Sequence, residues 1–255
     1  MVKALILAGA PNTKKLITLS PEPYEALIPI AGRPMVDFVV AALQSSPSIK
    51  KIVVVGPAEL EYLKRGKVIK VITSHGALIE NLRRGLDSFE PDELTLVATA
   101  DIPLLCAAAV EDFLTQAQTK PADFYYPIIE KRTNEAKYPG SKRTYVRLRD
   151  GTFTGGNLLL LYPRILERGW GWAEDMYRLR KEPLKMCRLL GWGFLIQLLL
   201  GRLTISNLER RFEQVLGASG RAIISSYPEI GLDVDKPADY HLAARYISDN
   251  NLMAQ

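Results

Sequence analysis

The chain has 255 residues, 47% of them hydrophobic and 24% charged, which is long enough for one large core or two small ones and leads us to expect a single domain with insertions. Its formal net charge of +5 favours anionic ligands, but the lysines and arginines are dispersed with no run of five like charges, so nucleic acid is not indicated as a partner. The two cysteines, Cys106 and Cys187, stand far apart without ligand-like neighbours, which supports neither a disulfide framework nor a zinc site.

Residues 2–8 form an apolar run that breaks at Gly9 into the polar loop 10–15, as a buried strand does when it ends in a phosphate-sized loop. The run is short and lacks the charged head and cleavage site of a signal peptide, so a cytoplasmic location is expected. Further runs of Val, Ile and Leu at 51–55, 68–72 and 94–98 alternate with segments 34–43, 77–89 and 107–118, whose apolar residues recur at three- and four-residue spacing. That alternation predicts βαβ units and an α/β fold with a Rossmann-like, mainly parallel (mixed) sheet.

After Pro121 the pattern changes to an extended stretch at 124–129, a polar segment at 131–141, and strands at 143–148 and 156–161. Residues 171–216 read as successive helices, 221–225 as a short strand, and 237–246 as a closing helix with Pro237 suited to its first turn. The greasy stretch 189–200 contains two glycines and a glutamine and falls short of the roughly 20 residues of a membrane span, so no transmembrane segment is expected. Over 184–200, Leu184, Met186, Leu189, Leu190, Phe194, Leu195, Leu198 and Leu199 give more apolar surface than one helix stripe hides, with Trp192 and Phe194 as candidate anchors of an interface. A homodimer contact or a flap is one expectation there, and burial inside the monomer is the other.

Several side chains are placed for chemistry. The backbone after Leu7, Ala8 and Gly9 suits close approach of a triphosphate, with Lys14 or Lys15 adding positive charge; the alternative is an ordinary strand-to-loop turn. Gly76 permits close backbone approach, and Asn81 offers both donor and acceptor or simply decorates its helix. Asp101 stands where an apolar strand ends, the edge at which open α/β sheets bind ligands; a turn toward Pro103 is the other role open to it. Asp233 and Asp235 alternate along an extended segment and so share a face from which both reach one cation. Capping of the helix at Pro237 is a second role open to Asp235. Along 142–149, Arg143, Tyr145, Arg147 and Arg149 share one face, either for anions or as a solvated edge, and Gly156-Asn157 follow.

Taken together, Leu7-Ala8-Gly9 with its basic loop, Glu25-Ala26-Leu27-Ile28-Pro29-Ile30-Ala31-Gly32-Arg33-Pro34-Met35, Thr99-Ala100-Asp101-Ile102-Pro103, and Asp233 to Asp239 resemble the signature of MobA-like and sugar-nucleotide nucleotidyltransferases. The likeness spans most of residues 1–161 and 219–246. It implies a nucleotide-diphospho-sugar transferase type of sheet with a helical insertion near the C-terminal third. Residues 1–255 would form one domain: a nucleotide- and metal-binding core at 1–120 and 218–250, an acceptor region at 121–170 and the insertion at 171–217. The implied activity is Mg²⁺-dependent transfer of an NMP group from an NTP to a phosphorylated acceptor, with release of pyrophosphate. By the resemblance, Asp101 and Asp235, with Asp233, hold Mg²⁺; Leu7, Ala8, Gly9, Gly76 and Asn81 hold the nucleotide. Lys14, Lys15 and Arg147 are the catalytic cations, and Arg143, Arg149, Gly156 and Asn157 hold the acceptor. Molybdopterin, a sugar phosphate and a polyol phosphate all remain open as acceptors, as does the NTP. One departure stands out: where the family places a Pro-Lys pair, this chain has Tyr24-Glu25. An acid there repels phosphate, which opens the alternative of a nucleotide- or sugar-phosphate-binding protein with altered or lost catalysis.

Overall fold

The structure is a computed structural model that describes residues 1–13, 15–179, 193, 196–197 and 200–253. Its framework is a mixed sheet in which β1 (Val2–Leu7), β4 (Ile49–Gly56), β5 (Val68–Thr73) and β6 (Thr95–Thr99) run parallel. Beyond β6 lie β10 (Leu158–Leu161), β7 (Phe124–Glu130), β9 (Gly151–Gly155) and β8 (Val146–Leu148), joined by antiparallel pairings. The order is β5-β4-β1-β6-β10-β7-β9-β8, with β11 (Gly220–Ser225) parallel to β7. A small ribbon of β2 (Pro29–Ile30) and β3 (Arg33–Pro34) stands apart.

Alternation along β1 explains the layers. Ala4 and Ile6 face a core built with Val36, Val39 and Leu43 of α1 (Met35–Ser45) and Val110, Phe113 and Leu114 of α3 (Ala107–Gln118). Leu5 and Leu7 face the other side, against Leu82 and Leu86 of α2 (Leu78–Leu86) and Ile165 of α5 (Arg164–Leu179). Each fully buried Leu, Ile or Phe contributes about 1.5–3 kcal/mol, and residues that are apolar on both strand faces can only be satisfied by helices on both faces. The chain is thus an α/β protein, and β4, β1 and β6 sit in its middle. Residues 34–43 and 107–118 form helices where the spacing placed them.

The second half departs from the sequence expectation in four places. The polar stretch after β7 holds a helix, α4 (Lys131–Lys137), which has no apolar stripe because its inward residue is Asn134, 1% exposed and donating from Nδ2 to Ser141 Oγ at 2.7 Å and Tyr145 Oη at 2.9 Å. The strand expected over 143–148 shortens to β8, so Arg143 precedes the ladder rather than sharing its face with Arg147 and Arg149. The strand expected over 156–161 shortens to β10, and β9 is a further strand before it, with Gly156 and Asn157 at the junction. Of the helices expected over 171–216, α5 begins earlier than expected, and α6 (Ile205–Leu216) is capped by Thr204, whose side chain accepts from Asn207 N at 3.2 Å, and ends at left-handed Gly217. α7 (Pro237–Met253) starts at the proline. The apolar segment 184–200 lies largely outside the described residues; Ile196 and Leu200 in it are exposed. Among the described residues no helix is long and apolar enough to cross a membrane.

Gly85 lets α2 settle on β1. A Cβ there would meet Leu5 Cδ1 at 2.4 Å and Val55 Cγ2 at 3.0 Å, and both of those side chains are fully buried. Gly85→Ala should therefore lose about 1–3 kcal/mol despite its better helix propensity. A lowered urea midpoint is the expected reading, and an unchanged one would contradict this packing.

Candidate functional site

In the parallel half, the chain runs outward from β1 through β4 to β5 and then returns to place β6 on the other side of β1. At such a reversal, the loops that leave the C-terminal strand ends diverge and open a crevice. Here β1 delivers Gly9 and β6 delivers Asp101, and a cavity of about 230 Å³ lies between them, lined also by Glu25, Gly76 and Asn81.

Gly9 rests directly on the turn after β5. A Cβ on it would lie 2.5 Å from Ser74 Cβ and 3.2 Å from Asn81 Nδ2, so only glycine permits this approach. Asn81 is 4% exposed, and its Oδ1 accepts the His75 N–H at 2.9 Å. It thereby fixes the turn in which Gly76 adopts φ +63°, a conformation that disfavours a side chain. The loop past Gly9 is held by Asn12, which is buried and donates from Nδ2 to Ser20 O at 3.0 Å and Glu22 O at 2.8 Å. Nothing in the sequence pattern singled out that role, because an asparagine in a polar loop reads as a turn former. Lys14 lies outside the described residues. Lys15 is exposed and is not among the residues lining the cavity.

On the other side, Val234 is 1% exposed in a small core with Ile28, Met35 and Ile247. Its N–H donates to Asp101 O at 2.9 Å. With Val234 turned inward, Asp233 and Asp235 turn the opposite way, and carboxylate oxygens of Asp101, Asp233 and Asp235 lie within 4.8 Å of one another. Thr99 Oγ1 donates to Asp101, and Arg143 Nη1 donates to Asp233 Oδ1. Asp239, in the first turn of α7, accepts the Asp235 N–H at 3.3 Å and so ties the segment before the helix to it.

Glu25 belongs to this acidic group. It is held there by its own N–H, which donates to Ala10 O at 3.0 Å. Burial raises its pKa above the usual carboxylate value, and the charges of Asp235 and Asp233 raise it further. Asp101 is pushed up to about 7, first by burial and then by Asp233, Glu25 and Asp235, against the lowering effect of the Thr99 hydroxyl. Three carboxylates converging on one point are oxygen donors of the kind that hard divalent cations take, with no sulfur or imidazole among them. The residues fit Mg²⁺.

The remaining acceptor candidates are spread out. Arg147 lies exposed on β8 opposite Thr152, and Arg149 is exposed with its N–H donating to Leu203 O at 2.9 Å. Gly156 donates its N–H to Pro127 O at 2.9 Å, and the Asn157 N–H goes to Ile230 O at 2.8 Å. Asn157 Nδ2 is buried and has no hydrogen-bond partner among the described residues.

The raised pKa of Asp101 carries a sign. Its ordinary value is 3.8, so the folded state holds the proton more tightly than the unfolded chain. In EDTA, stability should therefore fall as the pH rises from about 4 to about 7 and level off above. Asp101→Asn should flatten that slope and raise the urea midpoint at pH 8; an unaltered slope would show that Asp101 does not carry it.

Among curated proteins, none matches this chain. A family profile described as the MobA-like NTP transferase domain matches residues 18–222. A hypothetical transferase from Thermus thermophilus is 39% identical, with 93% of this chain and 98% of that one covered and a TM-score of 0.82. A CMP:2-keto-3-deoxy-manno-octonic acid synthetase complexed with CTP is 14% identical over 98% of this chain and 99% of that one, with a TM-score of 0.65. The 2-C-methyl-D-erythritol 4-phosphate cytidylyltransferase of Thermus thermophilus is also 14% identical, over 97% and 100% of the two chains, with a TM-score of 0.57. These last two share the fold. With the profile covering most of the sequence, the chain belongs to the family of MobA-like NTP transferase domains.

Proposed function

We propose that the protein transfers a nucleoside monophosphate from an NTP to a phosphorylated small-molecule acceptor, with Mg²⁺ bound by Asp101, Asp233 and Asp235. The observation that carries this reading is the convergence of those three carboxylates at the rim of the crevice between β1 and β6, in a chain of a family of NTP transferases. A phosphate oxygen of the acceptor forms a bond to the α-phosphorus, the bond from that phosphorus to the bridging oxygen breaks, and its electron pair leaves with pyrophosphate. Chemistry of this type needs alignment and charge compensation more than a protein nucleophile.

The chain's own groups divide that work. Ala8 and Gly9, on the cavity wall, offer their backbone to a bound nucleotide, and the turn at Gly76 offers its backbone to the base. Asn81, whose oxygen is committed to the His75 N–H, holds that turn in place. A divalent cation at the acidic cluster supplies the positive charge that the phosphates require. Arg143, paired with Asp233, and Asn157, whose buried Nδ2 is without a partner among the described residues, are the groups assigned to the acceptor.

A second reading follows from Glu25. It lines the crevice close enough to Asp233 and Asp235 for their charges to raise its pKa, so it adds negative charge where a triphosphate would lie. On this reading the protein binds nucleotide or sugar phosphate without turning it over. Calorimetric titration with each NTP in Mg²⁺ and in EDTA, alongside a pyrophosphate assay with candidate acceptors, separates the two: cation-dependent binding with no pyrophosphate released favours the binder.

Asp101→Asn should cut cation-dependent turnover about 100-fold or more while the protein stays folded. Asp235→Asn should act in the same direction. If Asp235 served only as a helix cap, Asn would replace it with little effect, so wild-type turnover in that variant would remove it from the metal set. Glu25→Lys reverses one charge beside the phosphates and should tighten NTP binding about tenfold at low ionic strength; unchanged affinity there would place the Glu25 side chain away from the phosphate path.

A further inference from the structure

Asp233 is the carboxylate of the cluster that another part of the chain already answers. Nη1 of Arg143 reaches its Oδ1, and each side chain is 16% exposed. The contact is one-pronged: Arg143 Nε is buried and has no hydrogen-bond partner among the described residues. A guanidinium kept permanently on a carboxylate is better served by two parallel N–H groups. Arg143 also lies in the extended link between α4 and β8, outside any ladder, so a shift of its side chain breaks no backbone pairing.

The other end of this link is fastened in a different way. Glu229, 5% exposed, accepts from the Tyr138 hydroxyl at 3.0 Å and pairs with Lys137, and Tyr246 packs edge-on against Tyr138 with ring centroids 4.7 Å apart. The strap is therefore fixed on both sides of Arg143, by the packed core around Tyr138 and by the Asn134 amide, which donates to Ser141 and Tyr145; what is left to move is the Arg143 side chain, tied by its ion pair to a metal-ligand candidate.

On the reading that Asp101, Asp233 and Asp235 bind a divalent cation, we infer that Arg143 is a stand-in cation: guanidinium and divalent ion compete for Asp233, and the ion's arrival releases Arg143 to the anionic group of the acceptor. The ion brings twice the charge of the guanidinium to the same oxygens and repels it. Once free, Arg143 has its Nε and both terminal nitrogens to offer, a fork that matches the oxygens of a phosphate. The acceptor's phosphate thus finds its cation only after the metal is in place.

The test uses the full chain and Mn²⁺ alone as probe. Affinity is read by electron paramagnetic resonance, and exposure of Arg143 by phenylglyoxal labelling with mass spectrometry. Competition predicts that Arg143→Gln binds Mn²⁺ at least several-fold more tightly than the wild type. It also predicts that wild-type Arg143 is labelled faster in Mn²⁺ than in EDTA, a difference that Asp101→Asn abolishes. A buttress for Asp233 would give the opposite signs, so weaker or equal Mn²⁺ binding by Arg143→Gln, or labelling unchanged or slowed by Mn²⁺, overturns the exchange. Should the Gln variant fail to fold, the labelling of the wild type decides alone. Failure of the wild type to bind Mn²⁺, or equal binding by Asp101→Asn, instead brings down the metal reading on which the exchange rests.

Discussion

Repulsion among like charges is the term that the rest of the site has to answer. The hydrogen bond from the Val234 N–H to Asp101 O, with Val234 buried beneath it, pins the segment after Leu232 against the end of β6. Asp101, Asp233 and Asp235 cannot spread apart while that bond holds. The chain meets the crowding with the means at hand: Thr99 donates to Asp101, Arg143 pairs with Asp233, and Asp101 holds its proton far above the ordinary carboxylate range. Local repulsion kept in place by distant packing is a feature of functional sites rather than of cores, where a buried charge costs several kcal/mol and is paired or replaced.

The fold sets where this happens. A sheet whose parallel order reverses beside β1 must open its loops there, and the two loops that open carry the glycine and the aspartate that matter. Leu5, Leu7, Ala4 and Ile6 hold β1 rigidly between helices on both faces, so Gly9 is presented from a strand with little freedom to move. Asn81 then ties the neighbouring turn to His75. The crevice is in this sense preorganised, and a ligand entering it has little backbone to order.

Much of this was legible in the sequence where a residue's neighbours in the chain are also its neighbours in space. The strands of the parallel half and helices α1 and α3 follow from apolar periodicity alone, and the Asp233-Val234-Asp235 alternation put two carboxylates on one face before any tertiary contact was known. Legibility fails where burial is polar. α4 carries no hydrophobic stripe because Asn134 is its inward residue, and Asn12 staples a loop through two backbone carbonyls that no spacing rule connects. Arg143 looked like one of several arginines on a strand face; the ladder begins only at Val146, and a partner ninety positions further along the chain takes its side chain instead. Glu25 was visible as an acid in a cation's place, but its membership of the acidic group depends on a loop contact with Ala10.

The bond between Val234 and Asp101 also has a consequence for assembly. It joins a strand from the middle of the sheet to a segment that the chain reaches only after β11 and just before α7. A chain that has formed β1 to β6 owns the crevice walls, Glu25 and one carboxylate of the Asp101, Asp233 and Asp235 group; the other two of that group arrive when the segment before α7 docks. Any ligand that spans Asp101 and Asp233 or Asp235 is therefore a brace between early and late parts of the polypeptide, and its binding free energy adds to the cohesion of that joint. Resistance of α7 to proteolysis would then follow ligand concentration, turning the last helix into a gauge of how fully the site is occupied.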